Sequence, residues 1–305
     1  MKTRRLFGGT LLFMMVMLTM ATGSRAQSKP WAKFSNGVLT LTYGEKPAEA
    51  QSTVKCEKCG KALAATHKFC PNCGTARPEK KKTVFEVPLN AQDMDELPWF
   101  KIKEEVKKVV IAASFKQVTQ ITSTAYWFFN MEKLTTIVGL ENLRTSNVTK
   151  MQCMFYKCES LTSLNLSSFN TSKVTNMCAM FCYCKSLTSL NLSTFDTRNV
   201  TDMAAMIAKC ESLTSLNLST FDTRNVTDMS QLFNECKSLT SLDISHFDMG
   251  KVERVTEMFA DCTSLKKLYL PAASWDIDKI HTRGKDRYQP TKDVFSKCPA
   301  EIIMK

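Results

Sequence analysis

The stretch SLTSLNLSTFDTRNVTDM occupies residues 186–203 and occurs again, letter for letter, at residues 212–229. The period is wider than this copy, because cysteine, leucine and phenylalanine recur at intervals of 26 residues. The cysteines are Cys158, Cys184, Cys210, Cys236 and Cys262, the leucines Leu161, Leu187, Leu213, Leu239 and Leu265, and the phenylalanines Phe169, Phe195, Phe221 and Phe247. A fixed interval of this size predicts a solenoid, in which each unit packs against its neighbours.

Each unit has two apolar patterns. SLTSLNLSTF has the L-x-x-L-x-L spacing of a short strand with one buried side. DMAAMIAKC has apolar residues at i, i+3, i+4 and i+7, which predicts one face of a helix. These residues are Met203, Met206, Ile207 and Cys210. The polar run between them offers a helix N-cap in Asn225, Thr227 or Asp228. We therefore predict an α/β fold, a leucine-rich-repeat-type solenoid of strand-plus-helix units of about 26 residues whose strands form a parallel sheet.

The cysteine ladder is in phase with methionine, isoleucine and phenylalanine, so we expect its thiols to be buried and free. Disulfides or metal ligands are the alternatives. Cys153, Cys178 and Cys182 fall outside the ladder, on the other face of the predicted helices. They are the candidates for reactive or bridging thiols.

The first 26 residues are typical of a signal peptide. Basic residues precede the apolar run LFGGTLLFMMVMLTMATG, which ends at Ser24-Arg25-Ala26. Cleavage before Gln27 is favoured over a one-pass membrane anchor. No later stretch has the length and apolarity of a membrane span, so we expect a soluble, exported mature chain that is periplasmic, secreted or at the cell surface.

The formal net charge of +12 raises the possibility of a nucleic-acid ligand. Between Lys55 and Lys82 there are eight basic and two acidic residues, whereas residues 141–267 hold thirteen of each sign. A nucleic-acid-binding protein concentrates basic residues along its binding face. The neutral repeats therefore argue against nucleic acid as a partner.

Two C-x-x-C-G motifs precede the repeats, in KCEKCGKALAATHKFCPNCG. Two such turns direct four thiolates at one tetrahedral centre, so Cys56, Cys59, Cys70 and Cys73 are predicted to bind one structural zinc ion. Two disulfides, or thiol redox chemistry, are the alternatives. His67 lies between the motifs and is expected to be a solvated loop residue.

The segment with these two motifs, residues 54–76, resembles a compact zinc ribbon and is called the ribbon below. It is flanked by two strand-like segments, VLTLTYGEK and KKKTVFEVPLN, and is interpreted as an insertion in a hairpin. The predicted domain organisation has five parts. These are a signal peptide at 1–26, an N-terminal strand region at 27–98 with the zinc ribbon inserted at 54–76, an N-terminal cap and first irregular repeat at 99–138, a regular solenoid at 139–273 and a C-terminal cap at 274–305. Val106, Val109, Val110 and Ile111 are the apolar residues expected to cap the first repeat.

The repeats resemble those of the BspA-like leucine-rich-repeat surface proteins. The resemblance rests on GLENLRTSNVTKMQCMFYKCESLTSLNLSSF at 139–169 and its successors, on ITSTAYWFF at 121–129 and on VFSKCPAEI at 294–302. SNGVLTLTYGEKP at 35–47 looks like the family's leading strand. The resemblance implies a leucine-rich-repeat fold and a role in adhesion or host contact at the cell surface, and it offers no catalytic residues.

The sequence favours binding over catalysis. The histidines at 67, 246 and 281 are isolated, and neither a nucleophile elbow nor a phosphate loop is present. If the strand leucines point inward, the residues between them form outward-facing polar ladders. The predicted partner-binding residues are Ser163, Asn165, Ser189, Asn191, Ser193, Ser215, Asn217, Ser219 and Asp243.

We therefore expect an adhesive, non-catalytic surface protein whose partner is a host or bacterial surface protein or an extended polymer. A structural role in the cell envelope, or thiol redox chemistry at the C-x-x-C pairs, is the alternative.

Overall fold

The computed structural model describes residues 28–48, 54–55, 58–63, 69–75, 84–283 and 293–305. The predicted signal peptide, Cys56 and His67 lie outside these ranges. Within them, no helix is both long enough and apolar enough to cross a bilayer.

The described strands form three sheets. They are β1 (Lys29–Ser35), β2 (Val38–Gly44), β3 (Val54–Lys55), β4 (Ala62–Leu63), β5 (Val84–Glu86), β6 (Lys108–Ile111), β7 (Thr136–Val138), β8 (Ser241–Asp243), β9 (Lys267–Leu270) and β10 (Glu301–Met304). The described residues contain one α-helix, α1 (Ile277–Arg283), and 3₁₀ turns at Met94–Glu96, Phe100–Glu105, Ala113–Gln117 and Leu140–Asn142.

The N-terminal sheet has the order β5-β1-β2-β6-β7. Strands β1 and β2 form a hairpin whose turn, Asn36-Gly37, has two positive φ angles, as a two-residue hairpin turn requires. The ribbon segment follows β2 and precedes β5. These two strands lie on opposite sides of β1 and do not pair with each other. The prediction of an insertion within a hairpin is therefore wrong, because β1 occupies the position between them.

Residues 99–117 cover the first unit of the repeats. Trp99 is buried, and its Nε1 donates to the carbonyl oxygen of Trp127 at 2.8 Å. Strand β6 pairs in parallel with both β2 and β7, and its Val109 and Ile111 are buried. The apolar N-terminal end of the repeats is thereby removed from water.

Successive units stack in parallel, joined by bridges between equivalent residues. The bridged residues are Ser123, Lys150, Asn176, Asp202, Asp228 and Arg254. After each bridge, alternate backbone N–H groups donate to the next unit. For example, Met203 donates to the carbonyl oxygen of Asp228 at 3.0 Å, and Lys209 to that of Asn234 at 2.7 Å. We call the segments 123–130, 149–157, 175–183, 201–209, 227–235 and 253–261 the turn ladder.

The turn ladder replaces the predicted helices, so the helical half of the predicted unit is wrong. Met203, Met206, Ile207 and Cys210 are buried as the spacing indicates, yet the backbone forms consecutive tight turns. Met206 donates to Met203 within the unit, whereas Ala205 donates to Ser230 in the next one. An α-helix would direct both N–H groups four residues back along the same segment, leaving none for the neighbouring unit.

Two residues per unit have the left-handed backbone conformation that these turns need. The pairs are Tyr126 and Asn130, Cys153 and Lys157, Ala179 and Tyr183, Ala205 and Lys209, Gln231 and Glu235, and Glu257 and Asp261. This conformation costs roughly 1–2 kcal/mol for a residue other than glycine. Apart from Glu257, each of these residues donates its N–H to a carbonyl oxygen of the next unit. Glu257 occupies the equivalent position in the last pair. The hydrogen bonds between units therefore offset the cost of the left-handed conformation.

The candidate helix caps have other roles. Asp228 Oδ1 accepts the N–H of Ser230 at 2.9 Å, as in a turn. Asn225 Nδ2 and Thr227 Oγ1 donate to carbonyl oxygens of the preceding unit, those of Arg198 and Thr201, at 2.7 and 3.1 Å. These polar side chains therefore join units and shape turns.

The leucine segments form strands at the two ends of the repeats only. Strands β8, β9 and β10 make a parallel sheet, and β7 joins the N-terminal sheet, but residues 163–165, 189–191 and 215–217 form no strand. Asn191 Oδ1 takes the N–H of Ser193 at 3.0 Å, so this N–H is engaged within its own unit. The continuous parallel sheet predicted for these segments is therefore wrong, and the turn ladder supplies the pairing between units.

The core lies between the leucine segments and the turn ladder. Phenylalanine rings stack from unit to unit, with Phe155 and Phe181 at 5.6 Å between centroids and Phe233 and Phe259 at 5.7 Å. Ile207 occupies the equivalent position between these two pairs and is buried. The repeated letters are thus mainly core and turn positions.

The stack has one more unit than the regular period indicates. Phe259 and Asp261 donate to Val294 and Ser296, and the ring of Phe295 stacks on that of Phe259 at 5.5 Å. Asp293 and Lys297 have positive φ, like the pairs of the turn ladder. Residues 293–304 therefore form a final unit within the segment predicted as the C-terminal cap.

Candidate metal centre and exposed polar ladders

The two cysteine motifs form knuckles. Strands β3 and β4 pair antiparallel on either side of the first motif, of which residues 58–60 are described. In the second, Gly74 donates to the carbonyl oxygen of Cys70 at 2.9 Å, and Cys70 donates to that of Thr75 at 2.7 Å. Gly60 and Gly74, which directly follow the second cysteine of each motif, have φ of +71° and +69°. Glycine adopts this left-handed conformation without strain, which explains the C-x-x-C-G spacing.

The knuckles bring sulfur atoms together. The Sγ atoms of Cys59, Cys70 and Cys73 lie within 4.8 Å of one another, and those of Cys59 and Cys70 are 3.6 Å apart. Tetrahedral zinc with Zn–S bonds of 2.3 Å separates its sulfurs by about 3.8 Å, whereas a disulfide holds them at about 2.05 Å. The sulfur separations and the thiolate donor set therefore fit a zinc ion. Cys56, the fourth predicted ligand, lies outside the described residues.

A polar contact joins the knuckles. Lys61 Nζ donates to Asn72 Oδ1 at 3.0 Å, linking the residue after Gly60 to the turn of the second motif. Cys70 is buried and packs against Cys59 and Cys73 in a cluster separate from the main core. The ribbon is thus organised around its sulfurs.

The predicted partner-binding residues all lie on the surface. The exposed residues are Ser163, Asn165, Ser189, Asn191, Ser193, Ser215, Asn217, Ser219 and Asp243. They follow the leucine segments from unit to unit at intervals of 26 residues. Serine hydroxyls and asparagine amides therefore form an extended, uncharged surface that ends at Asp243.

The asparagines of these ladders also stabilise turns. Asn165, Asn191 and Asn217 each accept, through Oδ1, the N–H of the serine two residues later, at 3.2, 3.0 and 3.0 Å. Asp243 makes the same bond to Ser245 at 2.9 Å and an ion pair with Lys305. Burial alone would raise the pKa of Asp243, but the bonds from Ser245 and Lys305 lower it to about 2. The asparagine Oδ1 atoms are therefore engaged in turn hydrogen bonds, although the side chains are exposed.

The basic turns form a second exposed edge. Arg198 and Arg224 are largely exposed, and each pairs with an aspartate of its own turn, Asp196 at 2.9 Å and Asp222 at 2.6 Å. The Arg224 guanidinium holds the pKa of Asp222 below its ordinary value. The two aspartates partly neutralise these arginines, so this edge carries less positive charge than the two arginines alone would give it.

The repeats match one family model. The model of DUF285, described as Mycoplasma protein of unknown function, matches residues 100–215 and 188–294, which together cover more than half of the 305 residues. The chain belongs to the DUF285 family. The ribbon lies outside both matches, so family membership concerns the stacked units and their N-terminal cap. No protein with a curated description matches the chain.

Solved structures of leucine-rich repeat proteins are similar at low sequence identity. One from Bacteroides ovatus is 15% identical over 91% of this chain and 75% of its own, with a TM-score of 0.27. One from Eubacterium ventriosum is 16% identical over 82% and 85%, with a TM-score of 0.25. A leucine rich cell surface protein from Faecalibacterium prausnitzii is 13% identical over 90% and 92%, with a TM-score of 0.20.

The cysteine ladder of this DUF285 chain is a structural feature. Cys158, Cys184, Cys210, Cys236 and Cys262 are fully buried, as predicted, and form no disulfide. Each thiol donates to a backbone carbonyl oxygen of the preceding unit, as Cys210 does to Phe181 at 3.3 Å. The same carbonyl also accepts the N–H of Cys184, so the thiol is a second, weaker partner.

The three cysteines outside the ladder lie together on the outer side of the turn ladder. Cys182 is buried, Cys153 and Cys178 are half-buried, and they pack with Tyr156 and Tyr183. Burial, followed by the Asp202 carboxylate, raises the pKa of Cys153 to about 11 and that of Cys178 to about 12. Because the thiolate is the reactive form, this environment reduces the reactivity that their position outside the ladder predicts.

Buried threonines link the units, and sequence reasoning did not single them out. Thr145, Thr171, Thr197 and Thr223 are at most 2% exposed. Each hydroxyl donates to one carbonyl oxygen of the next unit and accepts the N–H of the same residue, as Thr171 does with Asp196. The signal was a threonine repeated at 26-residue intervals inside a polar run, where a turn residue is the more common interpretation. Cys298 of the final unit was missed as well, because it follows an irregular interval.

Proposed function

We propose that this protein is an exported, non-catalytic leucine-rich-repeat protein of the BspA-like type that binds a surface protein or an extended polymer at the cell surface. The observation that carries the proposal is the in-register exposure of the serine and asparagine ladders along the leucine segments. A stack of similar units presents one chemical pattern over a long surface, which suits an extended partner. The stacked, parallel units support the solenoid interpretation.

The surface chemistry favours a polar, weakly charged ligand. Hydroxyls and amides supply both donors and acceptors, and Asp243 is the charged member of the ladders, already paired with Lys305. Hydrogen bonds repeated along the stack would add small contributions over several units. A host or bacterial surface protein, or a neutral glycan chain, has this complementary chemistry.

The contacts of His246 indicate a structural role. A ring nitrogen of His246 bonds to the carbonyl oxygen of Leu218 at 2.9 Å, and the ring packs edge-on against Phe247. This links adjacent units in the same way as the threonines and asparagines do. The arrangement supports a non-catalytic protein whose polar residues serve stacking and surface contact.

We propose further that Cys56, Cys59, Cys70 and Cys73 bind one structural zinc ion. The sulfur separations and the two left-handed glycines support this assignment. Zinc would supply the folding energy that this small ribbon, with its two-residue strands, cannot obtain from an apolar core. Export, with removal of residues 1–26, belongs to the same proposal and rests on the sequence of that segment.

The binding proposal is tested with paired charge insertions. We expect Ser189→Arg with Ser215→Arg to abolish adhesion of the folded protein to cells or to immobilised surface polymer, because both side chains are exposed on the proposed contact surface. The matched control is Ala204→Arg with Ser230→Arg, which adds the same charge on the outer side of the turn ladder. Equal adhesion of both double variants and the unmodified protein would overturn the site.

The zinc proposal is tested by metal analysis of protein purified without chelator. One zinc per chain is expected, and Cys70→Ser should abolish it. Four thiols mapped as two disulfides would instead favour an oxidised ribbon. Absence of zinc together with thiol-exchange activity that is lost in the same variant would favour the redox alternative.

A further inference from the structure

The C-terminal end of the stack exposes residues that belong to its apolar interior. Ile302 pairs with Leu268 and Met304 with Leu270 in the parallel register of β10 and β9. Leu268 and Leu270 are buried, whereas Ile302 and Met304 are 45% and 47% exposed. The apolar columns of the sheet therefore run out into solvent at β10.

The backbone of β10 is open on the same side. Strand β10 is the edge of its sheet, and Glu301 and Lys305 donate inward to Lys266 and Leu270 at 2.9 Å. Because hydrogen-bonding direction alternates along a strand, Ile302 and Met304 direct their N–H and C=O groups outward. An exposed, apolar edge strand of this kind is a template for another strand.

We propose that this edge is an interaction surface for a second copy of the chain, which pairs β10 with β10 across a two-fold axis. A two-fold axis makes two identical strands antiparallel. In the register centred on Ile303, Ile302 faces Met304 of the other copy, so each apolar column continues into its counterpart. Ile302 and Met304 then form a hydrogen-bonded pair through their outward backbone groups.

Charge complementarity selects this register and this occupant. It places Glu301 of each copy directly opposite Lys305 of the other, and both side chains are exposed. Lys305, which pairs with Asp243 of its own chain, would then lie between two carboxylates. Opposite charges at directly paired positions stabilise an antiparallel pair, and like charges destabilise it. At the other end of the stack, the buried Trp99 covers the first unit and bonds to Trp127, so the apolar interior is closed there.

The first test is sedimentation of the full chain over a range of protein concentrations. We expect a monomer–dimer equilibrium that Glu301→Lys weakens by about tenfold, since two copies of the charge pair are lost. Combining Glu301→Lys with Lys305→Glu exchanges the charges and should recover part of the lost association, because Lys305→Glu also removes the ion pair with Asp243. Val138→Lys, a control at another exposed apolar residue of the sheets, should leave it unchanged.

A cross-link tests the register without relying on affinity. Ile303 lies on the two-fold axis, so Ile303→Cys should join two copies through a disulfide when oxidised glutathione accepts the two electrons and two protons of the thiols. Glu301→Cys places the two new thiols four residues apart along the strands and should not cross-link above the unmodified chain. A protein that stays monomeric, an edge that binds only foreign peptides, or a dimer insensitive to the charge exchange would overturn the proposal.

Discussion

The hydroxyl of Thr197 makes two hydrogen bonds to the backbone of a single residue in the next unit. Its Oγ1 donates to the carbonyl oxygen of Asp222 at 2.9 Å and accepts the N–H of Asp222 at 2.8 Å. Thr197 is 1% exposed, so water cannot replace either bond. A hydroxyl both donates and accepts, which allows one side chain to satisfy both backbone groups.

We expect Thr197→Val to lower the free energy of unfolding by about 2–3 kcal/mol, because it removes both bonds and leaves two buried backbone groups unpaired. Thr197→Ser keeps the hydroxyl and loses one methyl group, so its cost should be about 1 kcal/mol or less. Urea unfolding followed by circular dichroism measures both. Equal losses for the two variants would contradict a role for the hydroxyl.

The left-handed positions of the turn ladder give a second prediction. Ala205 has φ of +54°, and glycine removes the clash of its Cβ in this conformation. Ala205→Gly should therefore stabilise the protein by about 0.5–1 kcal/mol. Ala208→Gly, three residues later at a buried position without positive φ, should destabilise it by about 1 kcal/mol. Thermal or urea unfolding distinguishes the two signs, and destabilisation by both would argue for a helix-like segment.

The same residues show how far the sequence predicts this fold. The sequence alone predicts the 26-residue period, the burial of Met203, Met206 and Cys210, and the turns of the two cysteine motifs. The backbone of the turn ladder cannot be predicted in this way, because consecutive four-residue turns bury positions i, i+3, i+4 and i+7 just as a helix does. The two conformations differ in the partners of alternate N–H groups, such as that of Ala205, which lies in the next unit, and in the left-handed backbone of Ala205 and Lys209.

Two features of the fold could not be predicted, the final unit and the backbone of the leucine segments. The final unit follows its predecessor by 36 residues, from Asp261 to Lys297, so the period does not identify it. The predicted strand pairing at the leucine segments is absent because Asn165, Asn191 and Asn217 accept backbone N–H groups of their own units. Whether an asparagine makes this bond depends on side-chain geometry, which the sequence does not give. The exposure of the serine and asparagine ladders and the proximity of Cys59, Cys70 and Cys73 could be predicted from residue spacing alone.

Thiol labelling gives a third prediction, with a defined pH dependence. Burial raises the pKa of Cys153 to about 11 and that of Cys178 to about 12. Because its pKa is raised from 9.0 to about 11, Cys153 should react at pH 7 roughly 100-fold more slowly than an ordinary thiol. Its rate should rise about tenfold per pH unit up to its pKa, because the thiolate fraction rises by that factor.

The control for this labelling is the ladder, since Cys158, Cys184 and Cys210 are fully buried and should stay unlabelled until the protein unfolds. Mass spectrometry of peptides after timed alkylation resolves the individual sites, and urea-unfolded protein gives the reference rates. Rapid labelling of Cys153 in the native protein at pH 7, or labelling of the ladder at the same rate, would refute the burial argument.

The last prediction concerns the independence of the ribbon from the stack. Among the described residues, strands β3 and β4 pair with no other strand, and Cys70 packs with Cys59 and Cys73 apart from the main core. Replacing Cys70 by serine should therefore remove the proposed zinc and unfold the ribbon while the cooperative unfolding temperature of the stack shifts by less than about 2 °C. Calorimetry with and without chelator measures this, and Lys61→Ala, which removes only the contact to Asn72, controls for changes at the ribbon surface. Unfolding of the stack together with the ribbon would contradict this independence. It would mean that metal binding in the segment between β2 and β5 stabilises the N-terminal sheet through β1, which pairs with both strands.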